Sequence, residues 1–477
     1  MYQKLKSYTA FFLVATAFIA ASGISLFSDG MFMDGTIYAA ISHNMANGLG
    51  SFWQPHLSQT LYPEFYQHPP LALGLEALAF KIFGDSFLIE RFYSLTTFII
   101  SACLIVLIWI EIGKPKNKAW IPLLFWFANP LVIWAVANNM LENTLQIFVL
   151  AAVWTLIKSL KTRTTLWILF GGIFLFLGLL TKGLVALFPL SFYFWYWILQ
   201  KDILFSKMML NTALLILFTI TPLILLLILN EQAFYALQSY FNKQIITSIK
   251  DVQTVASRFF IVGRLFNELL SDFGIFLLIS LIFKKNFKHL KTSFQKNRTL
   301  IYLFLGLGFS GVLPIMISLK QSGFYMLPAF PFFALAFGLI TLPLLENIAN
   351  AKLRKSFIFK YSGILSLLLL LIAFSATFSF KNKIGRDKDM LEDIYSINAI
   401  VPNNEMIDIP KNLSQNWPLQ AYFARYSYIS LNDVSKKPHR FYLCKKGSFP
   451  RQTDSYSITE LDLKKFSLFK LKSYPAN

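Results

Sequence analysis

Four charged residues carry the chemical interest of this sequence: Asp34, Glu142, Lys182 and Lys320, each at the end of an apolar run. A carboxylate in a partly dry pocket at a membrane–water boundary has its pKa raised by burial and lowered by nearby lysines. Such a group can take a proton from a hydroxyl. Lysines at the same boundary suit an anion, because they stabilise the negative charge that builds up on a leaving phosphate. His68, in Gln67-His68-Pro69-Pro70, is oriented by two prolines that start the next helix rigidly. It can donate a hydrogen bond to the same anion. Together these residues fit transfer of a group from a lipid phosphate to an acceptor hydroxyl.

Each residue also has a plainer explanation. Asp34, in Met33-Asp34-Gly35-Thr36-Ile37-Tyr38, could cap a helix starting near Thr36. Glu142, in Asn138-Asn139-Met140-Leu141-Glu142-Asn143, could complement the dipole of the helix it opens. His68 could be a loop histidine with no role. The lysines resist this treatment. Lys182 has apolar helix on both sides, in Leu180-Thr181-Lys182-Gly183, and a lysine in the centre of a span costs about 2.5–3.5 kcal/mol. Lys320 opens a stretch with prolines at 328 and 331. The prolines kink the entry to the following helix but leave the lysine unexplained.

The elements that position these residues are membrane spans. The chain has 477 residues, 56% of them hydrophobic, with a mean hydropathy of +0.54. That composition excludes a soluble globular protein. Apolar runs of bridging length, about 17–25 residues, predict about 11 transmembrane helices, near 8–27, 91–111, 119–137, 143–158, 165–181, 183–200, 209–229, 264–283, 299–319, 324–345 and 361–380. The first resembles a signal peptide but reads as an uncleaved helix, since many spans follow it.

The net charge of +20 sets orientation rather than marking a nucleic-acid partner. With the N-terminus in the cytoplasm, every predicted inner loop is basic, from Lys4 and Lys6, through Lys114, Lys116 and Lys118, to Lys352, Arg354 and Lys355. All four site residues then fall outside. Three outer segments are long: 28–90, with amphipathic stretches Ile37–Leu49 and Leu71–Phe83 suited to the interface; 230–263, containing Arg258; and the tail 381–477. The tail has ordinary polar composition, a helix-like stretch Met390–Ile400, and strand-like pieces Tyr426–Ser430 and Arg440–Leu443. We therefore expect a transmembrane domain over 1–380 and a small extracytoplasmic α/β domain over 381–477. Cys103, in a span, and Cys444, in the tail, form no disulfide framework. No carboxylate/His cluster suggests a metal, no Gly-rich phosphate loop suggests a nucleotide, and no cofactor is expected.

In motif order, residues 5–345 resemble the GT-C glycosyltransferases of the protein O-mannosyltransferase and 4-amino-4-deoxy-L-arabinose transferase type. The resemblance lies in Asp34-Gly35-Thr36-Ile37-Tyr38, His68-Pro69-Pro70-Leu71, Glu142, Thr181-Lys182-Gly183, and Lys320 with Tyr325, Pro328 and Pro331. It implies a sugar donor on a polyprenyl phosphate and a site at the outer leaflet. It also implies Asp34 as catalytic carboxylate, and Lys182 and Lys320 as phosphate ligands aided by His68, Tyr325 and, at a lower tier, Arg258. Glu142 would support the acceptor or orient the base. Departures are Gly35 where many relatives have a second acidic residue, His68 where some have lysine, Glu142 for the usual Asp, and fewer spans than the thirteen or so of the aminoarabinose enzymes.

The expected function is an enzyme of the inner (plasma) membrane that moves a sugar from a polyprenyl-phosphate donor to an extracytoplasmic acceptor, whether lipid A, a glycan or a protein. Lipopolysaccharide modification and protein glycosylation are both within that range. A transporter or flippase of lipid-linked sugars is the alternative. It calls for charges at mid-membrane and pseudo-symmetric halves, whereas the charges here lie at one face and no internal repeat is seen.

Overall fold

The structure is a computed structural model describing residues 8–200, 203–250, 252–284, 288–345, 357–433, 438–450 and 455–472. Of the residues used above for orientation, Lys4, Lys6, Lys352, Arg354 and Lys355 lie outside the described residues. The membrane bundle begins with α1 (Thr9–Phe27), followed in the first outer segment by α2 (Met33–Ala46) and α3 (Leu71–Phe83). Next come α4 (Phe87–Glu111), α5 (Trp120–Ala128), α6 (Pro130–Val136), α7 (Leu141–Ser159) and α8 (Thr164–Lys182). A 3-10 stretch, Gly183–Ser191, leads to α9 (Phe192–Leu199) and α10 (Phe205–Leu229). The second outer segment holds α11 (Glu231–Tyr240), a π-helical turn (Phe241–Ile246) and α12 (Thr247–Lys250). The bundle closes with α13 (Phe260–Ile282), α14 (Lys288–Val312), α15 (Phe330–Thr341) and α16 (Phe357–Phe378).

Among the described residues, nine helical stretches are long and apolar enough to cross a membrane. One of them, Thr164–Leu199, is too long for a single crossing and folds back on itself. A Cβ placed on Gly178 would lie 2.9 Å from the Ala186 Cβ, and the Tyr193 hydroxyl meets the Ser159 hydroxyl at 2.6 Å, at the far end of α7. The reversal occurs at Lys182-Gly183, where Gly183 has φ +73°. A further span is broken by 84° between α5 and α6, where Asn129 is extended ahead of Pro130 and its side chain caps α6 at Leu131. Counting the folded-back stretch as two and the broken pair as one brings the nine to eleven, the number read from hydropathy.

Some spans start earlier than hydropathy placed them. Helix α4 begins at Phe87 rather than 91, because Glu90 and Arg91 are buried with partners: Glu90 pairs with Arg425, and Arg91 donates to the Gly30 carbonyl at 2.6 Å. Helix α13 begins at Phe260, with Arg264 and Glu268 paired one turn apart at 2.6 Å. The two ends of the bundle sort cleanly. Thr9 meets Ser362, Lys118 donates to Leu345, and Lys161 pairs with Glu111 at one end. Glu142 and Lys182 lie at the other.

The tail folds as an α/β unit. Helices α17 (Lys388–Asn398) and α18 (Trp417–Ser427) cover a five-stranded sheet of β1 (Met406–Asp408), β2 (Ser430–Asn432), β3 (Phe441–Lys445), β4 (Tyr456–Ile458) and β5 (Phe466–Leu471). Its order is β2-β1-β3-β5-β4, with β1 parallel to β2 and β3 and the other pairings antiparallel. Leu391, Ile394, Ile407, Phe423, Leu443 and Leu468 form its core. Helix α18 is a departure from the sequence reading: Tyr426 and Ser427 finish a helix, and the strand starts only at Ser430.

The first outer segment also departs from expectation. Helix α3 suits an interface, with Leu78, Ile82 and Phe83 exposed. Helix α2 does not lie on the membrane. It is buried from Gly35 to Asn44, packed between α3 and α18.

Candidate active site

Helix α2 starts where the chain is tied down from two sides. The Phe32 amide donates to the Asn138 side chain at 2.7 Å. The Tyr422 hydroxyl of α18 receives the Met31 amide at 3.1 Å and donates to the Met31 carbonyl at 3.0 Å. Asp34 therefore enters the first turn of α2 rather than capping a later helix, and no side-chain cap bond forms there. Gly35 is required by packing, because the Asn138 carbonyl occupies the place a Cβ would take. A second acidic residue after Asp34 has no room in this chain.

Asp34 faces a cavity of about 340 Å³. Five residues singled out from the sequence line it: Asp34, His68, Lys182, Lys320 and Tyr325. They share it with Met33, Ile37, Tyr38, Tyr62, Phe65, Gln67, Gln244, Phe324 and Trp417. Among the described residues the Asp34 carboxylate makes no hydrogen bond or ion pair. Burial is the main influence on it and pushes its pKa up to about 6, against the opposing pull of Lys182 and Lys320.

Lys182 ends α8, and its ammonium pairs with the Glu142 carboxylate. It also lies 5.3 Å and 5.7 Å from the centres of the Tyr325 and Phe324 rings, a cation–π arrangement. Both partners of the ion pair are buried, at 7% and 1% exposure. Glu142 does not line the cavity. It stands behind Lys182, and its second carboxylate oxygen has no partner. It makes no capping bond to α7.

Lys320 is held by its loop. The Thr254 amide and hydroxyl donate to the Leu319 carbonyl, and the buried Gln321 side chain links Ile261, Arg258 and Ser318. Burial lowers the Lys320 pKa from its usual value, with Asp34 opposing that fall. Arg258 lies outside the cavity lining, and its guanidinium donates to the Ile317 carbonyl at 2.6 Å. His68 is neutral, because burial first, then Lys182 and Lys320, hold its pKa well below the usual imidazole range. Its Nε2 lies 3.2 Å from the Tyr38 hydroxyl, and its Nδ1 has no partner. It brings hydrogen bonding to the cavity, not charge.

Beside this polar cavity lies an apolar groove of about 290 Å³. Leu179, Leu184, Leu223, Leu227, Leu237 and Phe241 are among its lining residues. The two adjoin through neighbours in sequence: His68 with Pro69, Lys182 with Gly183, and Gln244 with Ile245. The Tyr240 hydroxyl donates to the Lys182 carbonyl at 3.3 Å and fills the space a Cβ on Gly183 would need.

Sequence reasoning missed the contribution of the tail. Trp417, the first residue of α18, reaches the cavity. The domain is fastened to the first outer segment by Arg425, buried between Asp85 at 2.9 Å and Glu90 at 3.0 Å. Asp29 adds to this, accepting from Tyr426 at 2.5 Å and from Tyr395.

Residues 67–225 match the family model of dolichyl-phosphate-mannose-protein mannosyltransferase. No curated protein sequence matches the chain. Among solved structures, ArnT from Cupriavidus metallidurans bound to undecaprenyl phosphate is similar with a TM-score of 0.67 at 12% identity, covering 97% of each chain. The apo state of that protein gives 0.64 at 13% identity, covering 96% of each. The Archaeoglobus fulgidus oligosaccharyltransferase in its apo form gives 0.53 at 13% identity, over 89% of this chain and 64% of the other. At these identities the likeness is one of fold, and it runs the length of both chains for ArnT.

Proposed function

We propose that this chain, whose fold is that of the GT-C glycosyltransferases of the protein O-mannosyltransferase and ArnT type, is an integral-membrane glycosyltransferase. It moves a sugar from a polyprenyl-phosphate donor to an acceptor hydroxyl outside the cytoplasm. The observation that carries this reading is that Asp34, Lys182 and Lys320 line one cavity beside an apolar groove. The polar cavity suits a phosphate and a sugar, and the groove suits a prenyl chain.

The donor phosphate sits on Lys182 and Lys320, with the Tyr325 hydroxyl beside it. Glu142 fixes the Lys182 ammonium, so that the cation is in place before the phosphate arrives. Asp34 accepts the proton of the acceptor hydroxyl as that oxygen attacks the anomeric carbon. The bond from the anomeric carbon to the phosphate oxygen breaks, the configuration inverts, and the polyprenyl phosphate leaves on the lysines. A base with a pKa of about 6 is ionised at neutral pH yet close enough to it to take a proton efficiently. That ArnT was solved with undecaprenyl phosphate bound supports a prenyl-phosphate donor.

With the basic ends of the spans in the cytoplasm, the site and the tail domain lie outside, in the inner (plasma) membrane. The acceptor is a hydroxyl of lipid A, of a glycan or of a protein. The test is purified protein with a prenyl-phosphate sugar: Asp34→Asn loses transfer while still binding undecaprenyl phosphate. Transfer by Asp34→Asn at the wild-type rate would remove Asp34 from the role of base.

A further inference from the structure

Three parts of the chain wall the cavity. Lys182 and Lys320 come from the membrane bundle and its loops, Asp34 and Tyr62 from the first outer segment, and Trp417 from the tail domain. These two rings lie with centres 6.1 Å apart and planes 25° from parallel. They stack on one another, and both line the cavity. Tyr62 holds its place in a left-handed backbone, φ +52°, a conformation disfavoured for a residue with a side chain and often retained at ligand clamps. Phe65 packs edge-on against the Tyr62 ring at 5.6 Å, and Gln67 donates to its hydroxyl at 3.2 Å.

Two uncharged polar groups line the cavity with these rings, the Gln67 amide and the Trp417 indole. The Gln67 side-chain carbonyl and the Trp417 indole N–H take no part in the hydrogen bonds among the described residues. One acceptor and one donor are therefore left beside two flat apolar rings. Aromatic surface flanked by a few fixed polar groups recognises ligands with an apolar face and a polar rim. A sugar ring is such a ligand: C–H groups lie on its face and hydroxyls on its edge. A prenyl chain has its own aliphatic groove, and an anion has the lysines.

We infer that Tyr62 and Trp417 form a sugar-ring platform, with Gln67 and the Trp417 indole N–H reading ring hydroxyls, so that the tail domain supplies half of the carbohydrate subsite. The inference rests on the transferase reading of the cavity. The ring is either the donor's or the acceptor's.

The test is saturation-transfer NMR on the full chain in detergent. The probes are methyl α-D-mannoside and methyl β-D-glucoside, α-D-mannose 1-phosphate, and undecaprenyl phosphate in a parallel titration. At least one sugar receives saturation on its ring protons in the wild type. Trp417→Ala and Tyr62→Ala abolish it, Trp417→Phe keeps it, and undecaprenyl phosphate binding is unchanged in all three, which also shows that they fold. If Lys320→Ala removes the signal of the sugar phosphate while the methyl glycosides never bind, the platform holds the donor's ring. If a methyl glycoside binds regardless of Lys320 but depends on Trp417, the platform holds the acceptor's ring. Sugar signals equal in the wild type and Trp417→Ala, or absent for every sugar in the wild type, overturn the platform. A wild type that binds sugars through Trp417 but does not bind undecaprenyl phosphate upholds the platform and overturns the prenyl-phosphate reading.

Discussion

Lys182 and Glu142 form an ion pair between two membrane helices, 40 residues apart in sequence and almost wholly buried. The pair explains how a lysine at the turn between two apolar helices is tolerated, and why Glu142 follows the third span. Neither residue is there to cap a helix.

Breaking this pair leaves a buried charge alone. Lys182→Ala strands the Glu142 carboxylate, one oxygen of which already lacks a partner, and loss of one member of a buried pair costs about 3–5 kcal/mol. Thermal unfolding in detergent should show a clear drop for Lys182→Ala and recovery in Lys182→Met with Glu142→Gln. Transfer activity should stay lost in the double variant, because the phosphate ligand is still missing. Equal stability of Lys182→Ala and wild type would mean that the pair is not buried as described.

The pH profile follows from Asp34. With a pKa near 6, it is mainly ionised at pH 7 and mainly protonated at pH 5, so kcat/KM falls as pH drops through 6. The same shift has the opposite sign for stability. The folded value lies above the ordinary 3.8, so the folded state holds the proton between pH 6 and 4, and Asp34 favours folding there as pH falls. Acid inactivation near pH 6 should therefore occur with the fold intact by circular dichroism. A flat rate profile from pH 5 to 7 would argue against Asp34 as the base.

Gly35 is a position where no side chain can enter without displacing the backbone it packs on. Gly35→Ala pushes a Cβ into the Asn138 carbonyl and must shift the first turn of α2. Overpacking of this kind costs about 1–3 kcal/mol, and transfer should fall further than stability because Asp34 moves with the turn. Gly35→Asp should be worse still. Wild-type transfer rates in Gly35→Ala would show that the position of Asp34 is not tightly set.

Arg425 joins the two parts of the protein. It is 1% exposed and pairs with Asp85 and Glu90 across the boundary. The Asp85 pKa is held down to about 2, with the hydrogen bond from His43 and the charge of Arg425 overcoming its desolvation. Arg425→Leu leaves Glu90 unpaired and loosens the tail domain from α2. Limited proteolysis between Phe378 and Lys388 should become faster, and activity should fall although Arg425 does not line the cavity. Unchanged proteolysis would show that the aromatic contacts to Asp29 and Met31 suffice.

Much of the candidate site could be read from the sequence, for a physical reason. A charge next to an apolar run is costly unless it has a partner, so Lys182 and Lys320 stand out without any knowledge of what they face. The spans could be read because basic loops alternate with apolar runs. Three things could not. The partner of Lys182 depends on how α7 packs on α8, and Glu142 could equally have been a helix cap. The burial of α2 depends on α18: the helical spacing of Leu419, Tyr422, Phe423 and Tyr426 marks the face turned to the tail core, but not what packs on the other side. Trp417 reaches the cavity through the docking of a domain whose own sequence holds no chemical motif. Arg258, expected in the second outer loop as a lower-tier phosphate ligand, lies outside the cavity lining, and one of its guanidinium nitrogens donates to the Ile317 carbonyl.

The most direct test of the central claim is mass spectrometry of the lipids and envelope glycans of cells carrying wild-type protein, a deletion, or Asp34→Asn. The account predicts that both altered strains lose the same sugar from one acceptor and accumulate that sugar on its polyprenyl phosphate. If the deletion changes the envelope and Asp34→Asn does not, the protein moves or organises glycolipids without catalysing transfer, and the proposal fails.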